Sequence, residues 1–136
     1  MKVIVDTSVW SLALRRKKPV TDLVIAKFTR VITAGRVILP GVIRQEILSG
    51  IPDKKVYEKL RVKLTAFPDY PLNADDYETA AEFFNTCRCH GIQGSNTDFL
   101  ICAIANRHDC LILTTDKDFD MFSKYIPVPL IDSVES

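Results

Sequence analysis

Four acidic side chains, Asp6, Glu46, Asp98 and Asp116, stand where the burial of apolar surface alone would not put them. Asp6 ends the apolar run Val3-Ile4-Val5 and is followed at once by two hydroxyl residues, Thr7 and Ser8. Asp116 ends a second such run, Leu111 to Thr115. Glu46 follows Val42 and Ile43 by four and three residues and so shares their helix face, and Asp98 precedes Ile101 and Cys102 by the same intervals. A carboxylate left uncompensated beside a core is costly or shifts its pKa, so a cation belongs among these residues. Clustered oxygens with no histidine nearby in sequence specify a hard ion, Mg²⁺ or Mn²⁺, held by carboxylates and waters. Such an ion activates water and neutralises charge that builds up on a phosphoryl group.

The elements that must position these acids alternate along the chain. Lys2 to Val5, Val37 to Leu39, Leu111 to Thr114 and a last segment near Val128 to Ile131 read as strands, and Phe67-Pro68-Asp69-Tyr70-Pro71 allows only a short edge strand. Helices are expected from Val9 to Leu14 with Thr7 or Ser8 as cap, from Thr21 to Ala34, Gly41 to Leu48, Asp53 to Ala66, Asn73 to about Cys89, Thr97 to Arg107 and Phe119 to Lys124. This order is that of an α/β fold with a parallel sheet covered by helices on both faces. If the strands ending at Asp6 and Asp116 are neighbours where the strand order reverses, both aspartates open onto the crevice in which such sheets bind ligands. Glu46 and Asp98 are then brought over it by their helices.

Length and composition set the frame. A chain of 136 residues fits one domain spanning 1–136, long enough to bury a core without disulfides or metal staples. It is 47% hydrophobic and 26% charged, ordinary for a globular protein, with no stretch of membrane-spanning length and no signal-peptide pattern at its start. A cytoplasmic protein with reduced Cys87, Cys89, Cys102 and Cys110 is the expectation. Cys87-Arg88-Cys89-His90 does not have the spacing of a structural zinc site, and Trp10, Phe83, Phe84, Phe99 and Phe119 fall in periodic apolar segments and read as core. The net charge of +1 gives no overall attraction to nucleic acid, so any such contact must come from local basic patches.

The segments VIVDTSVW, VIRQEIL, NTDFLICAIA and LILTTDKDF, in that order along nearly the whole chain, resemble those of PIN-domain nucleases, and within them the VapC-like toxins of toxin-antitoxin pairs. The resemblance implies a PIN-like three-layer α/β/α sandwich with a parallel five-stranded sheet, a Mg²⁺- or Mn²⁺-dependent endoribonuclease activity and a cognate antitoxin. It also implies a homodimer. Matched by motif, Asp6, Glu46, Asp98 and Asp116 fall on the family's acidic site residues, with Asp6, Asp98 and Asp116 as metal ligands. Ser8 and Thr114 match supporting hydroxyl positions, and Asp118 is a further supporting candidate.

RNA cannot be held by carboxylates, which repel phosphate, so basic residues must supply its track. Arg15, Arg16, Lys17 and Lys18, which follow the first helix, are the residues expected to do so. Two other readings compete. Asp6 after a first strand also suits the nucleophile of an aspartyl-phosphate phosphatase or phosphotransferase, although the haloacid-dehalogenase-like pattern D-x-D has Ser8 in its second place here. A non-catalytic PIN-like binding module is the third, and the presence of all four acids speaks against it.

Overall fold

The computed structural model describes residues 1–15 and 23–131. Among them, β1 (Val3–Val5), β2 (Val37–Pro40), β3 (Asp69–Tyr70) and β4 (Leu111–Leu113) form a parallel sheet in the order β3-β2-β1-β4. The helices are α1 (Thr7–Arg15), α2 (Leu23–Thr33), α3 (Gly41–Leu48), α4 (Lys54–Leu64), α5 (Ala74–Cys89), α6 (Asn96–Arg107) and α7 (Asp118–Phe122). The chain steps outward from β1 to β2 to β3, then returns past all three to place β4 on the far side of β1. Right-handed crossovers in opposite directions put α1 to α4 on one face of the sheet and α5 and α6 on the other. The reversal lies between β1 and β4, paired at Val3↔Leu111, Ile4↔Ile112 and Val5↔Leu113.

β1 is central, and its β-branched Val3, Ile4 and Val5 are fully buried, as a strand covered on both faces requires. Against it packs α6, in which every residue from Phe99 to Ala105 is buried. Removing an Ile or Phe side chain of this kind from water contributes roughly 1.5–3 kcal/mol, so these two elements anchor the core. Trp10 is part of that core, edge-on to Phe28 and Phe67.

The sheet has four strands among the described residues, not the five expected. The segment from Val128 to Ile131 meets β4 in one parallel bridge, Ile112↔Leu130, with the Ile112 N–H donating to Pro129 O at 2.8 Å and the Ile131 N–H to Ile112 O at 2.9 Å. Pro127 and Pro129 have no N–H to donate, which prevents this segment from continuing a ladder. Prolines also limit β3 to two residues between Pro68 and Pro71. Of the expected RNA track, Arg15 is the last residue of α1, whereas Arg16, Lys17 and Lys18 lie outside the described residues, as does Thr21. No helix among the described residues is long and apolar enough to cross a membrane.

The thiols of Cys87, Cys102 and Cys110 are buried, Cys89 is exposed, and all four cysteines are free. The two histidines of the chain are both engaged in other contacts. His90 stacks on Tyr125, and His108 belongs to a network around Asp76, a fully buried carboxylate that the sequence analysis does not single out. Asp76 Oδ2 accepts from the Asn73 N–H at 2.9 Å in a capping box, while Oδ1 meets Arg107 Nε and His108 Nε2, both at 2.8 Å. The other ring nitrogen of His108 lies 3.0 Å from Tyr70 Oη. The network thus fastens the start of α5 to the end of α6 and to the sheet edge.

Burial acts to raise the Asp76 pKa, but the Asn73 amide, Arg107 and His108 outweigh it and hold the carboxyl below its ordinary value of 3.8. The stability it supplies is therefore present above that value and lost as pH falls through the lower folded one. Asp76→Ala is expected to lower the unfolding free energy by about 3 kcal/mol at neutral pH, since it removes a fully buried carboxylate that accepts from the Asn73 amide and Arg107 and meets His108. Urea denaturation followed by the fluorescence of the single tryptophan, Trp10, should show this difference shrinking in strong acid.

Candidate functional site

The end of β1 is joined to the end of β4 through one carboxylate. Asp6 is only 6% exposed, and its Oδ2 accepts from Ser8 Oγ at 2.7 Å and from Thr114 Oγ1 at 2.8 Å. The two hydroxyl oxygens lie 3.4 Å apart, and each accepts in turn from the chain after β4: the Thr115 N–H donates to Ser8 Oγ at 3.2 Å and the Asp116 N–H to Thr114 Oγ1 at 3.0 Å. The main chain adds the Asp6 N–H to Leu113 O at 2.9 Å. The helix begins earlier than the sequence suggested because the Asp6 carbonyl accepts from the Val9 and Trp10 amides. Thr7 and Ser8 are consequently free to serve carboxylates instead of capping.

Asp116 is positioned by the turn that follows. Its Oδ1 accepts from the Asp118 N–H at 2.9 Å, an Asx turn leading into α7, so that Asp118 enters the arrangement through its backbone. Asp98 is positioned by a capping box at the start of α6. Its Oδ2 accepts from the Ser95 N–H at 3.1 Å while its own N–H donates to Ser95 Oγ at 3.1 Å. The S-x-x-D pattern of Ser95 and Asp98 announces that box in the sequence: α6 starts at Asn96, one residue before the expected Thr97, with Ser95 as its cap. Gly94 fixes the approach to it. A Cβ there would lie 2.5 Å from Phe122 and 2.9 Å from Phe99, so the loop can press against the core only as glycine.

A common pattern emerges. In each of Asp6, Asp98 and Asp116, one carboxylate oxygen is held by a protein donor, and the other has no donor among the described residues. Nor does any of them form an ion pair with a described cation. Burial pushes the Asp98 pKa up, and the negative charges of Asp6 and Asp116 push it further. The three carboxylates are therefore electrostatic neighbours, whose repulsion a cation would relieve.

Glu46 stands somewhat apart. It is exposed on α3, and its Oε1 accepts from Thr7 Oγ1 at 2.6 Å, which links it to the residue after Asp6. Glu46 opens onto a groove of about 460 Å³ between α1, α3 and α4, and Asp116 onto a hollow of about 150 Å³ with Thr114, Thr115 and Lys117. Among the described residues, no three acidic, histidine or cysteine side chains are close enough to enclose an ion outright. An oxygen-only set of tethered carboxylates suits a small hard cation that keeps part of its water shell and takes few protein ligands at once.

Residues 3–125 match the family model of the PIN domain. The chain is 29% identical over 126 residues to the VapC ribonuclease Mb1587 of Mycobacterium bovis and, with the same figures, to ribonuclease VapC11 of Mycobacterium tuberculosis, covering 90% of this chain and 92% of each relative. Its fold is similar to that of FitAcB from Neisseria gonorrhoeae, with a TM-score of 0.74 and 19% identity over 96% of both chains. It is also similar to VapBC2 from Rickettsia felis, solved bound to a DNA fragment from their promoter, with a TM-score of 0.75 and 14% identity over 96% of this chain and 98% of that one. With a parallel sheet whose strand order reverses at the acids, and a family match along almost its whole length, the chain belongs to the PIN domain family.

Proposed function

We propose that this PIN domain is a metal-dependent endoribonuclease, the toxin of a type II toxin-antitoxin pair, and that the chain from 1 to 136 works as one domain. The observation that carries this reading is the set of three half-tethered, mutually repelling carboxylates at the reversal of the sheet. The names of the relatives, ribonucleases of the VapC type, support RNA as substrate. The VapBC2 and FitAB assemblies among its structural neighbours support a cognate antitoxin as partner. A cytoplasmic location and a homodimeric state complete the proposal.

Asp6, Asp98 and Asp116 would hold Mg²⁺ or Mn²⁺, directly or through water, with the oxygen that each leaves without a protein donor. When bound, the ion supplies an activated water and charge neutralisation at the scissile phosphate. Ser8 and Thr114 fix the orientation of Asp6 by donating to the opposite oxygen, and Ser95 does the same for Asp98. Glu46, its Oε1 satisfied by Thr7, presents Oε2 for positioning the attacking water or a second ion.

Asp6→Asn and Asp98→Asn should each abolish divalent-dependent cleavage of total RNA, and growth arrest on expression, while circular dichroism shows the fold retained. A phosphate trapped on Asp6 with turnover of small phosphate esters would instead establish the aspartyl-phosphate reading. Undiminished RNA cleavage by a folded Asp6→Asn protein, free of wild type, would refute the mechanism. In EDTA the Asp98→Asn protein should melt higher than wild type, because a repelling charge is gone. Added Mn²⁺ should raise the Tm of wild type well above that of the variant, since only the intact set binds the ion tightly. Light scattering after size exclusion is expected to give a dimer at micromolar concentration, and co-expression with the product of a small adjacent reading frame should restore growth.

A further inference from the structure

The groove between α1, α3 and α4 is not lined by Asp6, Asp98 or Asp116, yet Glu46 is one of its lining residues. Its floor is aliphatic, with Leu14, Ile47 and Leu60 among its residues, and its rim on α4 carries Lys59 and Lys63. Lys55, Lys59 and Lys63 recur every four residues along α4, all exposed, and so form one stripe down a single side of the helix in steps of about 6 Å. None of the three has an ion-pair partner among the described residues, in contrast to Arg61 on the same helix, which pairs with Glu58. The helix is held in place from behind. Arg44 of α3 donates from Nη1 to Leu64 O at 3.0 Å and from Nη2 to Phe67 O, which fastens the end of α4 to α3.

On the nuclease reading proposed above, we infer that this groove holds the RNA strand on one side of the scissile phosphate, with Lys59 and Lys63 as positioning residues for its phosphates and Lys55 extending the same track. The acidic site by itself repels the substrate backbone, and unpaired lysines lining the same groove as one of its acids supply the opposite charge beside it. The aliphatic floor accommodates sugars and base faces without reading their edges, so the contact is sequence-independent. A helical segment of a protein partner would also suit an aliphatic floor, but it would not need unpaired cations in a groove that also holds one of the site's carboxylates. RNA accounts for both features.

The test compares the full-length wild type with K59Q/K63Q and, as a control that removes the same charge elsewhere, K27Q/K124Q. Binding of a labelled random-sequence single-stranded RNA is measured in EDTA, where no cleavage occurs, across a range of salt concentrations. Each lost phosphate contact lowers the slope of log Kd against log salt by about 0.7, so K59Q/K63Q should lose about 1.4 while the control keeps the wild-type slope. In cleavage assays K59Q/K63Q should raise KM and leave kcat close to wild type, and K59R/K63R should restore both slope and KM. If wild type cuts RNA but K59Q/K63Q shows an unchanged slope and KM, the groove assignment is overturned and the nuclease reading stands. Retained RNA binding together with loss of antitoxin affinity gives the groove to a protein and likewise overturns it. If wild type neither binds nor cuts RNA, the nuclease reading falls and the assignment falls with it.

Discussion

Everything at the functional end of this molecule depends on a buried carboxylate that is also a cross-link. Asp6 ends the central strand, at a depth where an ionised group is tolerated only if it is well hydrogen-bonded. Ser8 and Thr114 meet that requirement from two elements far apart in sequence, and their hydroxyls also accept amides of the chain leaving β4. The same few hydrogen bonds therefore satisfy one oxygen of Asp6, register the end of β1 against the end of β4, and set the course of the backbone toward Asp116. The opposite oxygen of Asp6 is left over, and that leftover is the feature a cation can use.

Two kinds of buried or half-buried acid are found here, and their contrast separates structural from functional charge. Asp76 is fully enclosed, and both of its oxygens are used by Asn73, Arg107 and His108, so its charge is balanced within the protein. Asp98 is held on one side only; burial raises its pKa, and the charges of two further carboxylates raise it more. Helix α6 links the two regimes, with Asp98 in its first turn and the partners of Asp76 at its last. Its wholly apolar middle, buried against β1, makes it a rigid spacer between a satisfied network and an unsatisfied one.

Much of this was legible in the chain because local chemistry dictated it. Helix α3 was bounded by its residues alone, between a proline-ended strand and Ser49-Gly50, and α4, α5 and α6 were foreseen to within a few residues from their caps and apolar periods. The fifth strand was expected because Val128 to Ile131 is apolar, but apolarity reports burial and not donors. Without the N–H groups of Pro127 and Pro129 the segment could be buried and still fail to form a ladder. Asp76 escaped notice for the complementary reason: its position three residues after Asn73 looks like ordinary helix chemistry, and nothing local reveals that a distant helix end closes over it.

The sequence by itself determined which residues carry charge beside apolar runs, where strands give way to helices, and hence that Asp6 and Asp116 come after strands while Glu46 and Asp98 ride on helices. These are properties of residue type and short-range spacing. Only the tertiary structure decided that β4 pairs with β1, that Ser8 and Thr114 share one oxygen of Asp6, and that Asp98 is close enough to Asp6 and Asp116 to feel their charges. It also decided that Glu46 faces a groove of its own beside Lys59 and Lys63. Residues about a hundred positions apart become neighbours only when the burial of β1 between α6 and the opposite helices fixes the order of the strands, and that energy is a property of the whole core, which no local window of sequence contains.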